Sequence, residues 1–171
     1  MKNQKGFSLI ELLIVVAIIL IIAAIAIPNL LRARISANES ATAADTKTVA
    51  AAEATFMGAT GGYGDMACMQ APAGCHPMAG TIQLLDDQLI AETTKNGFDR
   101  ALEVGGATVG TYASVFQEFC YGAEPNVIGR TGFRSFAVDA AGAPVSDATG
   151  ARCCDGAGRV GPNPPCVPLG N

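Results

Sequence analysis

The sequence predicts an α+β protein in which a long N-terminal α-helix packs against a small antiparallel β-sheet with disulfide-stapled loops. Three observations lead to this fold class. The first part of the chain is strongly apolar and then rich in alanine, which favours one long helix. Three later segments have strand composition and are separated by glycine-containing turns. Six cysteines follow the apolar part, in a chain whose 171 residues suit one domain of modest core.

The charge balance limits the kinds of partner that the protein can bind. Lysine and arginine total 11 against 15 aspartates and glutamates, which gives a formal net charge of -4 at pH 7. A chain of this charge has no basic field that would attract a nucleic-acid backbone. The composition therefore predicts no nucleic-acid partner.

An uncharged stretch near the N-terminus predicts a membrane-spanning segment. Residues Leu12–Leu31 carry no charge, and as a helix they would cover about 30 Å, the thickness of a bilayer core. Lys2 and Lys5 precede the stretch and Arg32 and Arg34 follow it, so charge gives almost no preference for either orientation. The cysteines decide the orientation, because they indicate that the rest of the chain lies in an oxidising compartment outside the cytoplasm.

The cysteines predict a disulfide framework rather than a metal site. All six lie beyond the apolar stretch, at Cys68, Cys75, Cys120, Cys153, Cys154 and Cys166. Zinc is the alternative, but the chain has no C-x-x-C pair and its one histidine is His76. The cysteine before Cys75 is also too far away for a covalent haem motif. We therefore expect neither a metal nor a cofactor.

Spacing favours part of the disulfide connectivity. Cys68 and Cys75 enclose a short loop that is easily closed, and Cys120, on a predicted strand, would anchor one cysteine of the C-terminal tail. A bond between the adjacent Cys153 and Cys154 is an alternative, although separate partners are favoured. The connectivity within the tail stays open.

Glu11 separates two interpretations of the apolar stretch. A conventional signal peptide would have the same basic start and apolar run, with Ala24–Ala26 as a cleavage site. A carboxylate at the head of such a run costs up to roughly 3 kcal/mol on insertion scales. This cost indicates that Glu11 has a function of its own.

The residues GFSLIELLIVVAIIL (Gly6–Leu20), followed by Pro28 and Asn29, resemble the N-terminus of type IV prepilins. The resemblance implies a pilin fold and a class III-type leader, residues 1–6, that a prepilin peptidase removes after Gly6. The same enzyme would then methylate Phe7 as the new N-terminal residue.

Glu11 has a role in assembly under this resemblance, and the spacing gives a physical reason. It lies four residues after Phe7, about 6 Å along a helix. A neighbouring helix displaced by that distance would bring its terminal amine beside the carboxylate, and each charge would neutralise the other. Subunit assembly is therefore assigned to Phe7 and Glu11.

The mature chain divides into a helical part and a head. Residues 7–57 form the long helix, with 7–28 as the membrane-spanning and filament-core half, and residues 58–171 form the extracytoplasmic head. No glycine or proline occurs from Asn29 to Met57, so the helix is expected to end with Gly58 as its C-cap. Pro28 is expected to kink the helix.

The amphipathic half of the helix carries an apolar stripe at Val49, Ala52 and Phe56, suited to docking on the head. In the head we expect a stapled surface loop over residues 58–80 and an amphipathic helix over 81–94. That helix would bury Ile82, Leu85 and Leu89 and expose Asp86 and Asp87. Strands are expected at 97–104, 111–122 and 132–139, with a weaker one at 143–146, and the tail from Thr149 is expected to lack regular structure.

The resemblance to type IV prepilins implies, together with these features, a structural subunit of a type IV pilus. It would leave the inner membrane to join a homo-oligomeric filament at the cell surface, with the prepilin peptidase/methyltransferase and the pilus assembly machinery as partners. An enzyme is not expected, because the chain lacks a recognisable nucleophile, base and orienting group. The alternatives are a pseudopilin of a type II secretion system and an exported, disulfide-rich binding protein with a conventional signal peptide.

Overall fold

The computed structural model describes residues 7–91, 93–161 and 166–169. The chain divides into two compact units, one that ends at Arg34 and one that begins at Ile35. Helix α1 (Leu9–Thr60) starts in the first unit and ends in the second. The predicted leader lies outside the described residues.

Helix α1 ends three residues later than the sequence predicts. Gly58 lies inside the helix, and the chain leaves it at Gly61, which has a φ of 81°. The Gly61 N–H donates to the carbonyl of Met57 (2.8 Å), which closes the last turn in the left-handed cap that glycine permits. Gly58 was an incorrect choice of C-cap because glycine is tolerated within a helix that tertiary packing supports.

The second unit contains a seven-stranded antiparallel sheet. Its strands are β1 (Tyr63–Gly64), β2 (Thr94–Lys95), β3 (Phe98–Thr108), β4 (Val115–Pro125), β5 (Ser135–Asp139), β6 (Val145–Asp147) and β7 (Val167–Pro168). Strands β2 to β7 are neighbours in chain order, and β1 pairs with β4. The four expected strands correspond to β3 to β6. Together with α1 and the disulfides, the sheet confirms the predicted α+β class.

The predicted stripe on α1 packs in the main core. Val49, Ala52 and Phe56 are 0%, 6% and 1% exposed. They belong to one apolar cluster with side chains from the sheet, including Phe98, Phe119, Tyr121, Phe136 and Val138. The aromatic side chains bury the largest apolar areas in this cluster and contribute most to its stability.

The helix predicted over residues 81–94 is much shorter than expected. Helix α4 covers only Asp87–Ala91, after α2 (Met66–Gln70) and α3 (Pro72–Cys75). Asp86 accepts a hydrogen bond from the Leu89 N–H through its carboxylate (2.7 Å), which starts the helix at the next residue. Leu85 and Leu89 are buried as predicted, whereas Ile82 is 79% exposed.

The loop predicted over residues 58–80 is not a surface loop throughout. It contains β1 and the short helices α2 and α3, and Cys68 and Met69 are fully buried. The tail also differs from the prediction, because β7 pairs with β6. Both segments contribute apolar side chains or strand pairs that composition alone did not identify.

Candidate functional site

A capping box closes the first turn of α1. The Ile10 N–H donates to the Ser8 hydroxyl oxygen (3.3 Å), and the Ser8 N–H donates to a Glu11 carboxylate oxygen (2.9 Å). The Glu11 bond is that of the S-x-x-E capping box, whereas the Ser8 hydroxyl accepts the N–H of the second helical residue instead of the third. Glu11 also places a negative charge at the positive end of the helix dipole. The sequence analysis missed this local role for Glu11, although the pattern was visible.

The side chains that follow this turn form an apolar surface. Within the described residues, α1 is the one helix long and apolar enough to cross a membrane, and none of its most apolar window is buried. Phe7 precedes the helix and is 81% exposed. An aliphatic surface of this size needs lipid or other helices to cover it. Gly6 lies outside the described residues.

Pro28 lies inside α1, with helical residues on both sides. It has no N–H to donate to the carbonyl of Ala24, four residues earlier, so the helix lacks one backbone hydrogen bond there. The helix continues through Pro28, and a kink at this residue stays a prediction.

In the second unit, Glu39 on α1 holds the segment that leads into β5. One carboxylate oxygen accepts the N–H groups of Phe133 (2.8 Å) and Arg134 (3.1 Å), and the other accepts the Arg134 guanidinium (2.9 Å). Burial alone would raise the pKa of Glu39, but these hydrogen bonds and the Arg134 charge outweigh it and hold the pKa below its ordinary value. Glu39 is therefore ionised and its bonds are charge-assisted.

Glu53 is a second buried carboxyl on α1, and its surroundings differ from those of Glu39. The side chain is 0% exposed, and one oxygen accepts the Gly64 N–H (3.1 Å). Within the described part of the chain, the other oxygen has no hydrogen-bond partner. Burial raises the pKa of Glu53 to about 8; the Gly64 N–H opposes this rise and the Asp65 charge adds to it. Glu53 is therefore largely protonated at neutral pH.

The six cysteines form three disulfides. Cys68 is joined to Cys75, Cys120 to Cys154 and Cys153 to Cys166. The disulfide framework expected from composition is therefore present, and the adjacent tail cysteines have separate partners. The second bond ties β4 to the C-terminal region, and the third holds the segment that leads into β7.

The longest disulfide loop is expected to contribute most to stability. We expect Cys120→Ser with Cys154→Ser to lower the free energy of unfolding by roughly 4 kcal/mol, because 34 residues separate the two cysteines. The Cys68–Cys75 disulfide closes a loop of only 7 residues. Its removal by Cys68→Ser with Cys75→Ser, the matched pair, should therefore cost roughly 2.5 kcal/mol. Chemical unfolding of the oxidised proteins in detergent measures both. Equal losses would contradict the loop-length explanation.

Among the residues that the structure describes, the other chemically active side chains do not form a catalytic arrangement. Asp65 lies within 4.8 Å of the Cys68 and Cys75 sulfurs, but those sulfurs form a disulfide, and Asp65 accepts the Cys68 N–H (2.9 Å) as the N-cap of α2. His76 is buried, its Nδ1 accepts the Met78 N–H (3.1 Å), and its ring lies on Tyr112. These contacts explain each group as part of the fold.

Comparison with known families shows what the N-terminal segment is similar to. Residues 1–27 match the model of the prokaryotic N-terminal methylation motif. The match contains Gly6, Phe7 and Glu11. The resemblance to type IV prepilins with a class III-type leader is thereby confirmed for this part of the chain.

Two curated relatives make the resemblance more specific. Over 40 residues the chain is 68% identical to the type IV wide pilus major component PilA4 of Thermus thermophilus. This match covers 23% of this chain and 30% of the relative. Over 65 residues it is 43% identical to the type IV major pilin protein PilA of Myxococcus xanthus, covering 38% and 30%. The matched part thus spans less than a third of either relative. No solved structure gives a significant match.

Proposed function

We propose that the protein is a structural subunit of a type IV pilus. One observation carries the proposal: residues 1–27, which match the N-terminal methylation motif, lead into a helix whose aliphatic side chains are exposed all around. The similarity of the chain to two type IV major pilins supports it. Packing such helices against one another would cover this surface and form a filament core. The α+β unit that begins at Ile35 would form the outer part of the filament. The role is structural and requires no catalysis.

Processing would precede assembly. A prepilin peptidase would cut after Gly6, and methylation would follow at Phe7. Two observations support this step: the methylation motif covers both residues, and Phe7 is exposed and precedes the first helical residue, Leu9. A scissile bond outside a helix is accessible to a protease, whereas a helical one must first unwind.

Cleavage would also change the partner of Glu11. In the single chain its carboxylate accepts the Ser8 N–H. In the filament the terminal amine of a neighbouring Phe7 would add an opposite charge to the same carboxylate. Pairing is strongly favoured over leaving either charge alone where water is scarce. Before cleavage no amine exists at Phe7, so only processed subunits would assemble.

The apolar segment would have two environments in turn. It fits an inner-membrane anchor before assembly, because it is long and apolar enough to cross a bilayer. The assembly machinery would then move it into the core of a homo-oligomeric filament at the cell surface. Both environments exclude water from the same side chains.

Deletion of the gene, with complementation, tests the proposed function. Cells that lack the protein should yield no sheared surface filaments of this type, and filaments from complemented cells should contain it as the main component. A protein found in membranes and needed for secretion, but absent from sheared filaments, would instead indicate a pseudopilin. Release of soluble protein without any filament defect would indicate an exported binding protein.

Pro28 is expected to affect filament geometry without affecting insertion. Pro28→Ala restores a backbone N–H and removes a residue that costs about 3 kcal/mol in a helix interior, so the helix should stiffen. Membrane fractionation should show the normal amount of inserted protein. Electron microscopy should show a changed helical symmetry, and an unchanged symmetry would count against a role for the kink.

A further inference from the structure

A groove beside the C-terminal part of α1 is open to solvent in the second unit. It has a volume of about 130 Å³ and a mainly apolar lining. An enclosed protein cavity of about 150 Å³ holds a benzene ring, so a groove of this size, open on one side, has room for one aromatic ring. We call it the α1–β5 groove. It is lined by Ala50, Ala54 and Met57 of α1, by the Tyr63 and Phe119 side chains, and by the turn after β5 (residues 139–142).

The loop between β4 and β5, residues 126–134, exposes three large apolar side chains. Val127, Ile128 and Phe133 are 46%, 59% and 52% exposed. Ile128 forms a bridge with Gly132, so Phe133 follows directly after the residue paired with Ile128. The three side chains therefore belong to one small surface, which we call the β4–β5 surface. Among the described residues of the second unit, Phe133 is the one exposed aromatic side chain.

Hydrogen bonds hold the backbone of the β4–β5 surface in place. The Val127 carbonyl accepts the Thr131 N–H (3.0 Å), which closes the turn. The Thr131 carbonyl accepts the side-chain amide of Asn38 on α1 (3.1 Å). The Phe133 N–H donates to the Glu39 carboxylate on the same helix (2.8 Å). A surface whose backbone is already fixed has little ordering entropy to lose when it docks, which favours binding.

The groove and the β4–β5 surface lie too far apart for one copy to fill its own groove. Phe133 is bonded to Glu39, whereas the groove contains α1 residues from Ala50 to Met57. At the rise of an α-helix, these two residues lie about 17 and 27 Å beyond Glu39 along the axis. The groove of one copy is therefore available to the Phe133 ring of another copy.

A contact between these two surfaces joins unlike parts of two identical chains. A copy that offers its β4–β5 surface to one neighbour keeps its own groove free for the next copy. Repetition of such a heterologous contact gives either a closed ring or an open helical filament. An open filament is the assembly in the proposed function.

The charges beside the two surfaces are complementary. Arg130 is exposed on the β4–β5 loop, and Asp139 lines the groove. The Asp139 carboxylate accepts two backbone N–H groups (2.9 and 3.1 Å), which fix its position and leave its charge. Asp99 also lies beside the loop, where it accepts the Asn126 amide (3.2 Å), so the attraction is local to Arg130. An exposed ion pair adds little affinity, but it favours one orientation of a contact.

We propose that the β4–β5 surface of one copy docks in the α1–β5 groove of a neighbouring copy in the filament. The Phe133 ring enters the groove, and Arg130 faces Asp139. This inference rests on the proposed function and names a contact between second units within that filament. The apolar stretch Leu12–Leu31 of another copy has no aromatic ring and no cation for Asp139, whereas the β4–β5 surface has both.

Cysteine cross-linking in sheared filaments tests this contact. Val127→Cys lies beside Phe133, and Ala140→Cys lies at the groove, so both keep the aromatic ring and the α1 side of the groove. The native cysteines are all in disulfides, so a short bismaleimide reacts with the two new thiols. We expect the double variant to give a ladder of covalent multimers and each single variant to stay monomeric. Filaments assembled from a mixture of the two single variants should give dimers only.

Met78→Cys combined with Ala140→Cys is the matched control, because Met78 is 72% exposed in the same unit. An equal ladder from this control, or filaments of the Val127→Cys and Ala140→Cys double variant without a ladder, would overturn the inference and leave the filament intact. Dimers from Val127→Cys alone would assign the β4–β5 surface to a contact with itself. Absence of the wild-type protein from sheared filaments would overturn the proposed function and this inference together.

Two substitutions that need no cross-linker provide an independent arm. Phe133→Ala removes the ring, and Ala54→Phe fills the groove within its own copy. Each should weaken the contact roughly tenfold, because the ring has about half of its surface left to bury. Gentle heating of sheared filaments should therefore release more subunit from both variants than from wild type, and Met78→Ala should release the wild-type amount.

Both substitutions change exposed side chains, so the amount of processed subunit in the membrane should stay normal. This measurement separates a weaker contact in the filament from a failure to fold. Filaments of Phe133→Ala and Ala54→Phe that release no more subunit than Met78→Ala would contradict the proposed contact.

Discussion

Glu11→Leu is expected to stop filament assembly while leaving processing intact. The variant keeps the residues at the predicted cleavage site and makes the apolar stretch more favourable for insertion. Each incoming subunit would nevertheless bury an unpaired terminal ammonium. Losing one partner of a buried ion pair typically costs about 3 to 5 kcal/mol, which lowers an assembly constant by roughly two to four powers of ten. Processed subunits should therefore accumulate in the membrane.

Two further variants separate ion pairing from helix capping. Glu11→Gln keeps a side chain that can accept the Ser8 N–H but removes the charge. Ser8→Ala removes the hydroxyl cap and keeps the charge. The pairing hypothesis predicts that Glu11→Gln assembles as poorly as Glu11→Leu and that Ser8→Ala forms nearly normal filaments. The reverse result would mean that capping alone explains Glu11.

Glu53→Gln is expected to make the second unit more stable than in the wild type, by a margin that grows as the pH rises. The ordinary pKa of 4.5 applies to the unfolded chain, and burial raises the pKa of Glu53 to about 8 in the fold. Between these values the folded protein holds a proton that the unfolded chain has lost, so stability falls as the pH rises. The free energy of unfolding of the wild type should be about 4 kcal/mol lower at pH 8 than at pH 4. The glutamine variant should not show this decrease.

Chemical unfolding of the full chain in detergent, with the disulfides intact, measures this effect at several pH values. Glu124→Gln is the matched control, because Glu124 lies partly exposed on β4 beside Arg152 (3.5 Å). Because this carboxylate is partly in contact with water, its substitution should not reproduce the gain that Glu53→Gln gives at pH 8. A constant difference between wild type and Glu53→Gln across these pH values would show that Glu53 is not held protonated by burial.

The sequence predicted the elements whose patterns are long and regular. The apolar stretch, the alanine-rich continuation and the stripe at Val49, Ala52 and Phe56 give the helix and its buried face. The strands β3 to β5 follow from apolar segments between glycines. Each of these signals extends over many residues, so a local exception such as Gly58 moves a boundary without changing the element.

Other features depended on contacts between distant residues, which composition does not contain. The bond between Cys153 and Cys166 follows from where the tail runs after β6, and spacing alone left it open. The helix predicted over residues 81–94 is longer than α4. Ile82 has the helical spacing of a buried residue, but its side chain is exposed and does not pack in the core. Asp86 is exposed as expected, but its carboxylate also accepts the Leu89 N–H as a cap, and this bond sets where α4 begins.

Two local signals were present in the sequence and were not used. Asn96 and Gly97 have φ values of 55° and 76° between the paired residues Lys95 and Phe98, the two-residue hairpin turn that the dipeptide Asn-Gly favours. Glu53 follows Val49 by four residues and precedes Phe56 by three, so helical spacing placed a carboxyl on the buried face. The second signal was overlooked because glutamate is rarely fully buried.

The mass of the N-terminal peptide from sheared surface filaments tests the central claim most directly. A pilus subunit processed at the predicted site should begin at Phe7 and carry one N-methyl group, and this peptide should be recovered from filaments and not only from membranes. A mature chain that begins at Ile27, after Ala26, or a chain that is absent from filaments, would contradict the account.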